Sequence, residues 1–252
     1  MDPVLRLQSF GARRGGTSLS DPLSLRLNGG TVLGVVGPNG VGKSSLLGAI
    51  AGTGVSHYGS VTYGDLDLGQ LRARDRAQIV SFLPQDLLAP GELRARELVE
   101  IGASATGKNT RERALNALDE LGVAEIAERR VGTLSGGQRQ LVQFARVLAQ
   151  NTPIIVLDEP TSALDLFHQR AIAQTMRRLG NDGKIIIAAL HDLNLALGSC
   201  SEILLLDKSG ESHSGSPTDV LRPDLVHAAY GVHTRLHTTE NGHSFIASVD
   251  HP

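Results

Sequence analysis

A glycine-rich loop constrains this chain more than any other feature. Residues 37–45 read Gly-Pro-Asn-Gly-Val-Gly-Lys-Ser-Ser and fill every fixed position of the phosphate-loop pattern G-x-x-x-x-G-K-[ST]. The loop follows an apolar, strand-prone run at residues 31–36 and opens a helical stretch at residues 44–51. Glycine permits the close approaches and left-handed conformations that let successive N–H groups surround a polyphosphate at a helix start. A glycine-rich turn with a chance lysine is the simpler interpretation, and the strand–loop–helix order disfavours it.

The positions of this loop have separate expected roles. Lys43 is predicted to reach the β- and γ-phosphates, and the Ser44 hydroxyl is predicted to ligate Mg²⁺. The remaining predicted nucleotide contacts in the loop are Gly37, Pro38, Asn39, Gly40, Val41, Gly42 and Ser45. These assignments predict a chain that binds a nucleoside triphosphate together with Mg²⁺.

Two later segments carry the next signals. Residues 134–138 read Leu-Ser-Gly-Gly-Gln and precede a helical stretch at residues 138–150 that is rich in apolar side chains. Further on, residues 152–159 form a buried-strand pattern that ends in Asp158 and Glu159. Alone, a glycine cluster indicates a turn or a helix start, and a pair of carboxylates indicates a solvated strand end. The meaning of both segments therefore depends on their order along the chain.

Taken together, these segments resemble the ATP-binding-cassette (ABC) ATPase family, whose signature is LSGGQ and whose Walker B strand ends in Asp-Glu. Gln85, in Phe-Leu-Pro-Gln at residues 82–85, matches the Q-loop of that family. Ser-Ala-Leu-Asp at residues 162–165 matches the D-loop, and His191 matches the switch histidine. The ordered series spans residues 37–192, which makes the resemblance specific.

The resemblance implies catalytic roles for named residues. Glu159 would polarise the attacking water, His191 would contact the γ-phosphate, and Gln85 would sense the metal and the nucleotide. The implied Mg²⁺ ligands are Ser44, Gln85 and Asp158. Positioning and charge neutralisation supply most of the rate in phosphoryl transfer. A satisfied core histidine is the ordinary interpretation of a lone His191, and the motif order disfavours it.

The resemblance also implies a second subunit. In this family the signature of one subunit closes over the nucleotide held by the phosphate loop of the other. The implied contacts across that interface are Ser135, Gly136, Gly137 and Gln138. A chain with one phosphate loop and one signature is therefore expected to form a head-to-tail homodimer with ATP at both sites.

The fold class expected is α/β: an ABC-type phosphate-loop NTPase with a RecA-like, mostly parallel core sheet, an N-terminal antiparallel β part and an inserted helical subdomain. Strands and helices alternate through residues 153–206, which indicates a parallel sheet with helices on both faces. We expect one domain, residues 1–252. Its predicted parts are a nucleotide-binding core (1–91 and 151–213), a helical signature subdomain (92–150) and a C-terminal helix and hairpin extension (214–252).

The helical subdomain has its own local signals. Asn109 with Glu112 predicts a capping box at a helix start. The apolar stripe expected on that helix, before Gly122, consists of Ala114, Leu115, Leu118 and Leu121.

One departure from the family pattern concerns the adenine base. The family places an aromatic residue, often tyrosine, before the phosphate loop to stack on adenine. Aligning Gly15 and Gly16 with the family's Tyr-Gly-Gly pattern puts Arg14 at that position, with Arg13 beside it. A guanidinium can also lie flat on a purine. The alternative is that both arginines are solvated loop charges.

The C-terminal region adds a narrower resemblance. Residues 220–231 are predicted to be helical, and residues 232–238 and 244–249 alternate around Asn241-Gly242, a hairpin signal. With residues 191–196, this pattern resembles the ATPase subunits of bacterial importers for iron–siderophores, haem and cobalamin. The alternative for the tail is a packing flap. Its histidines suggest either a metal site or a solvated face, and they are His227, His233, His237, His243 and His251.

Composition restricts the partners. The net charge is −2 and no basic block occurs, so no nucleic-acid partner is expected. No apolar run approaches the ~20 residues that cross a bilayer, and no signal peptide is recognisable at the start. The single cysteine, Cys200, is expected to pack at a helix end.

These observations lead to one expected function. The chain is predicted to be the ATP-hydrolysing subunit of a bacterial ABC importer for an iron chelate (siderophore), with haem and cobalamin as rival cargoes. It would lie on the cytoplasmic face of the membrane, contact permease subunits beside Gln85 and residues 86–101, and depend indirectly on a substrate-binding protein. The alternatives are a soluble ABC ATPase without a permease, as in iron–sulfur cluster assembly, and a nucleotide-gated interaction module. Glu159 and His191 argue against the module.

Overall fold

The computed structural model describes residues 3–14, 16–18, 21–86, 90–242 and 244–249, with backbone alone at Arg14 and Thr17. The strands in these residues are β1 (Leu5–Arg14), β2 (Thr17–Ser18), β3 (Leu23–Leu27), β4 (Val32–Val36), β5 (His57–Tyr63), β6 (Leu66–Asp67), β7 (Val80–Leu83), β8 (Ile154–Asp158), β9 (Ile185–Ala189), β10 (Glu202–Leu206), β11 (Ser212–Gly215), β12 (Thr234–Thr238) and β13 (Ser244–Ser248).

The helices are α1 (Lys43–Ala51), α2 (Ala73–Arg76), α3 (Ala95–Ser104), α4 (Thr110–Glu120), α5 (Gly136–Gln150), α6 (Leu166–Asn181), α7 (Leu193–Ser199), α8 (Pro217–Val220) and α9 (Pro223–Tyr230). Short 3₁₀ helices occur at Leu68–Gln70, Ala124–Ile126 and Val131–Thr133. Among the described residues no helix is both long and apolar enough to span a bilayer.

The core sheet explains why the central strands read as unbroken apolar runs. Its strand order is β11-β10-β4-β9-β8-β7; β11 is antiparallel to β10, and the other neighbours are parallel. Every residue of β4, β8 and β9 is buried, because apolar clusters cover both faces of the sheet. The parallel strands end at one edge, where ligands bind in open α/β sheets. The predicted fold class is confirmed.

The N-terminal β part is an antiparallel sheet in which β1 pairs with β2, β3 and β5, and β5 pairs with β6. Strand β1 runs from Leu5 to Arg14 and is the longest strand of this sheet. Phe10 of β1 and Leu47 of α1 are fully buried in the apolar cluster that joins this sheet to one face of the core sheet. Helix α1 is thus fixed between the two sheets, and its first residue, Lys43, is placed at the edge of the core sheet.

Helices α3, α4 and α5 pack on one another over the opposite face. Two local predictions there were wrong. Asn109 does precede α4, but it adopts a left-handed conformation (φ 58°) in which its side chain caps no N–H group, so the capping box does not form. Leu115 is 38% exposed and Ala117 takes its place in the buried stripe. The division of the chain into core, helical subdomain and C-terminal extension stays a prediction.

The tail contains the predicted hairpin, β12 with β13. The helix predicted over residues 220–231 begins only at Pro223, as α9, and Val220 is instead the last residue of α8. The break between α8 and α9 falls at Arg222, which is extended because Pro223 disfavours a helical conformation in the residue before it. The hairpin is attached to α7 by Asn194, whose amide donates to the Ile246 carbonyl (3.0 Å) and accepts from the Ile246 N–H (2.7 Å). Helix α7 begins two residues after His191, so this attachment lies close to the candidate site.

Candidate active site

A pocket of about 390 Å³ opens where the parallel strands end. It brings together most of the predicted phosphate loop with the predicted catalytic side chains. Its lining residues are Asn39, Gly40, Gly42, Lys43, Ser44, Ser45, Gln85, Glu159 and His191. Residues far apart in the sequence meet here because β4, β7, β8 and β9 each end at this edge of the sheet.

The phosphate loop depends on glycine at two positions. A Cβ on Gly37 would lie 2.3 Å from the Leu206 carbonyl oxygen, and Gly42 has φ 106° where α1 begins. Both conditions exclude ordinary side chains, since left-handed backbone and such close approach favour glycine. The predicted contacts Gly37, Pro38 and Val41 belong to the same loop but do not line the pocket. The loop therefore presents backbone at the start of a helix, the usual arrangement for phosphate binding.

Lys43 is held in place without nucleotide. Its Nζ donates to the carbonyls of Gly37 (2.7 Å) and Pro38 (3.1 Å), and the residue is only 6% exposed. Burial lowers the pKa of Lys43, while the carboxylates of Glu159 and Asp158 act in the opposite direction. A buried ammonium beside these groups supplies the positive charge that a polyphosphate requires.

Ser44 and Asp158 form the pair that a metal would need. The Ser44 Oγ donates to Asp158 Oδ1 at 3.1 Å. Burial raises the pKa of Asp158, and the hydrogen bond from Ser44 opposes that rise. A hydroxyl, a carboxylate and the nearby Gln85 amide are oxygen donors, which suit Mg²⁺ when phosphate oxygens complete its shell. No group of three or more His, Cys, Asp or Glu side chains suited to a metal occurs within the described residues.

Glu159 has an unusual backbone. It follows β8 directly and adopts φ 51°, a left-handed conformation that costs a non-glycine residue about 1–3 kcal/mol. Its N–H donates to the Ala189 carbonyl at 3.2 Å, which joins the end of β8 to the end of β9. Strain of this kind persists only where surrounding contacts over-determine it, and it is frequent at active sites.

The side chains of Glu159 and His191 are paired. His191 Nε2 lies 2.5 Å from Glu159 Oε1, with the Glu159 side chain 12% exposed and that of His191 43% exposed. A carboxylate at the pocket wall, beside an imidazole and opposite the phosphate loop, can accept a proton from a water that attacks a bound γ-phosphate. This contact excludes the interpretation of Asp158-Glu159 as a freely solvated strand end.

The signature residues lie elsewhere. Ser135 caps α5: its Oγ accepts from the Gln138 N–H, and the Gln138 Oε1 accepts from the Ser135 N–H, both at 3.2 Å. Ser135, Gly137 and Gln138 line a separate pocket beside the D-loop, and Gly136 is the first residue of α5. Within one chain they do not meet the phosphate-loop pocket. Their role in nucleotide binding stays a prediction that requires a second chain.

The adenine position is only partly described. The backbone of Arg14 ends β1, but its side chain and Gly15 lie outside the described residues, so its predicted role stays a prediction. Arg13 has a partner within the chain, because its guanidinium carbon lies 5.1 Å from the centroid of the Tyr58 ring. That distance is within the range of a cation–π contact.

Within the described residues, the tail histidines His227, His233 and His237 form no group suited to a metal. His227 and His233 stack with ring centroids 4.0 Å apart, and His237 stacks on Phe245 at 5.1 Å. His243 and His251 lie outside the described residues.

Two side chains near the site were missed by the sequence reasoning. Gln140, in α5, donates through its amide to the Glu159 carbonyl at 3.2 Å. The Tyr230 hydroxyl is buried beside the Gly37 backbone, and burial raises the pKa of Tyr230 to about 12. A polar residue within the apolar pattern of α5 was the available signal for Gln140, whereas nothing in the sequence placed Tyr230 at the phosphate loop.

Comparison with known proteins decides the family. The family model described as "ABC transporter" matches residues 20–162, more than half of the chain. The chain belongs to the ABC transporter ATPase family. ATP binding and ATP hydrolysis follow from that membership, and the predicted family resemblance is confirmed.

Relatives of known name extend the comparison. The hemin import ATP-binding protein HmuV of Pseudomonas fluorescens strain Pf-5 is 41% identical over 96% of this chain and 99% of its own length. The cobalamin import ATP-binding protein BtuD of Halobacterium salinarum is 35% identical over 88% of this chain and 58% of its own length.

Solved structures agree on the fold. A transporter described as of the metal-chelate ABC type, in an inward-facing conformation, superposes with a TM-score of 0.78 at 25% identity, covering 98% of this chain and 97% of its own. A dimeric bacterial ABC transporter cassette superposes with a TM-score of 0.76 at 28% identity, covering 84% of this chain and 98% of its own.

Proposed function

We propose that this chain is the ATPase subunit of a bacterial importer that takes up an iron chelate, with haem as the first candidate. The observation that carries the import assignment is the 41% identity, over nearly the whole of both chains, to a protein named for hemin import. A siderophore and cobalamin are the alternative cargoes, and a relative named for cobalamin import is also similar.

Within the active site, the phosphate loop and Lys43 bind the β- and γ-phosphates. When bound, Mg²⁺ would neutralise phosphate charge, and the residues that would hold it are Ser44, Asp158 and Gln85. Glu159 accepts the proton of the attacking water at its carboxylate. His191, 2.5 Å from that carboxylate, keeps it directed towards the pocket and contacts the γ-phosphate.

The active form is a head-to-tail homodimer. Support comes from the separation of the signature pocket from the phosphate-loop pocket within one chain, and from the dimeric cassette of similar fold. In the closed dimer, the start of α5 in one subunit faces the γ-phosphate held by the other. The N–H groups and Ser135 hydroxyl at that helix start favour an anion.

The dimer is bound at the cytoplasmic face of the membrane by permease subunits. Their docking surface lies beside Gln85 and includes Asp86 and residues 90–101; residues 87–89 of the predicted segment lie outside the described part of the chain. A loaded substrate-binding protein acts through the permease, which biases the dimer towards closure.

Uptake in a deletion strain tests the cargo. Growth on haem, on a ferric siderophore and on cobalamin would be measured separately, with complementation by the wild-type chain and by Glu159→Gln as the matched control. The deletion should abolish growth on haem and leave growth on the other two substrates unchanged. Only the wild-type chain should restore growth on haem. Loss on another substrate alone would reassign the cargo, and normal uptake of all three would contradict the importer assignment.

A further inference from the structure

Gln140 is a buried polar residue that has no role in the proposed hydrolysis mechanism. It lies in α5, five residues after Ser135, and is 2% exposed. Its Nε2 donates to the backbone carbonyl of Glu159 at 3.2 Å. A buried amide must find hydrogen-bond partners, and here the partner is the backbone of the proposed catalytic base.

The backbone at Glu159 needs such a partner. With φ 51°, Glu159 is in a conformation that non-glycine residues seldom adopt. Its N–H is fixed by the Ala189 carbonyl at 3.2 Å. Its carbonyl accepts from the Ser162 N–H (3.3 Å), from the Ser162 hydroxyl (3.2 Å) and from Gln140. Ser162 is exposed, so Gln140 is the donor that water cannot readily replace.

With the N–H of Glu159 held by Ala189 and its carbonyl held by Ser162 and Gln140, both peptide groups that flank its Cα are fixed, and so is the direction of its Cα–Cβ bond. Rotation about the backbone bonds at Glu159 would move the carboxylate away from His191, which it now contacts at 2.5 Å. Catalytic groups must be held within about 0.5 Å of the productive geometry by the residues behind them. A buried donor to this carbonyl therefore contributes to holding the carboxylate in place.

We propose that Gln140 is a positioning residue that holds Glu159 in its left-handed conformation and so directs the carboxylate at the attacking water. The inference rests on the proposed role of Glu159 as the base. Because α5 also begins with the signature, one rigid helix presents the signature to the second subunit and holds the base of its own subunit.

A residue at the other end of the same helix provides the matched control. Gln150 is also buried (6% exposed), and its Nε2 donates to the backbone carbonyls of Ala77 (2.7 Å) and Val80 (3.3 Å). Replacement of either glutamine by methionine keeps the length of the side chain and removes the amide. Of the two glutamines, Gln140 alone contacts Glu159, so only the replacement of Gln140 should affect ATP hydrolysis.

Steady-state ATP hydrolysis by the purified chain distinguishes a positioning role of Gln140 from a purely structural one. For Gln140→Met we expect kcat to fall by about tenfold to a hundredfold, with the KM for MgATP within about twofold, because an interaction needed in the transition state is lost while phosphate binding is kept. Gln150→Met should keep kcat within about twofold. Equal losses in the two variants, or an unchanged kcat in Gln140→Met, would refute the proposal.

A double variant tests whether Gln140 acts through Glu159. Single-turnover rates with radiolabelled ATP would be compared for Glu159→Gln with and without Gln140→Met. Residues that act as a unit are not additive, so the second change should lower the rate by less than about twofold in that background. A full, additive loss would contradict the inference. Near-normal hydrolysis by Glu159→Gln would instead remove the base assignment itself, and with it this proposal.

Folding is checked independently. Each variant would be examined by circular dichroism and by its affinity for MgATP. If Gln140→Met does not fold, Gln140→Leu replaces it, since leucine favours helices and has no group that can donate to the Glu159 carbonyl. The same fall in kcat with a preserved KM is expected of Gln140→Leu, and hydrolysis at the wild-type rate would refute the role.

Discussion

Replacement of Glu159 by glutamine should separate nucleotide binding from hydrolysis. The change replaces one carboxylate oxygen by an amide nitrogen and leaves the Ser44–Asp158 pair and the Lys43 contacts in place. Loss of a general base costs about 10²–10⁴ in rate. At 1.36 kcal/mol per tenfold, this is about 2.7–5.4 kcal/mol of transition-state stabilisation. Affinity for MgATP should change little, because the groups that contact the phosphates are retained.

The assay combines phosphate release with gel filtration. Glu159→Gln with MgATP should release phosphate at or below a hundredth of the wild-type rate and should elute as a dimer that retains ATP. Lys43→Ala is the control for loss of binding: it should lower ATP affinity and give no nucleotide-dependent dimer. Hydrolysis by Glu159→Gln at near the wild-type rate would refute the assignment of the base.

The remaining predictions concern the adenine contact of Arg14, the C-terminal hairpin, the Cys200 thiol and Mg²⁺. Measured by titration calorimetry, Arg14→Ala should weaken ATP binding by the ~0.5–2 kcal/mol of a cation–π contact, whereas Arg13→Ala should not. An ATP affinity equal to that of the wild type in both variants would show that Arg14 is a solvated loop charge. Asn194→Ala should leave two Ile246 backbone groups without partners, and an unchanged hydrogen-exchange rate of the hairpin amides would contradict the ~1–3 kcal/mol expected. Burial raises the pKa of Cys200 to about 12, so a thiol reagent should label the folded chain slowly at pH 8 and faster as the pH rises towards 12; immediate labelling at pH 8 would contradict this burial. Chelation of Mg²⁺ should stop phosphate release, and continued release would exclude the metal site.

The sequence predicted the fold where local pattern and tertiary position agree. The phosphate loop and the hairpin turn at Asn241 were predicted because their residue types have few structural alternatives. The run at residues 154–158 was predicted as buried because a strand covered on both faces is apolar throughout. The phosphate-loop motif and the buried-strand pattern together thus located the edge of the sheet where the candidate site lies.

Other features depended on contacts that no local pattern contains. Asn109 fits a capping box in sequence, yet its left-handed backbone directs the side chain away from the free N–H groups. Leu115 fits the apolar stripe of α4, but the neighbouring helices cover Ala117 instead. Gln140 and Glu159 are 19 residues apart, and only the packing of α5 on the end of β8 brings them together. Side-chain positions within the site therefore required the tertiary structure.

The assignment of this chain to an importer is tested most directly by its ATP turnover, measured alone and joined to its permease in lipid vesicles. The co-purified permease would be supplied with its binding protein, either empty or loaded with haem. We predict slow turnover alone and faster turnover with the permease, with a further increase when the binding protein carries haem, because docking shifts the dimer towards closure. A turnover rate unaffected by permease and by loaded binding protein would contradict the assignment of this chain to an importer.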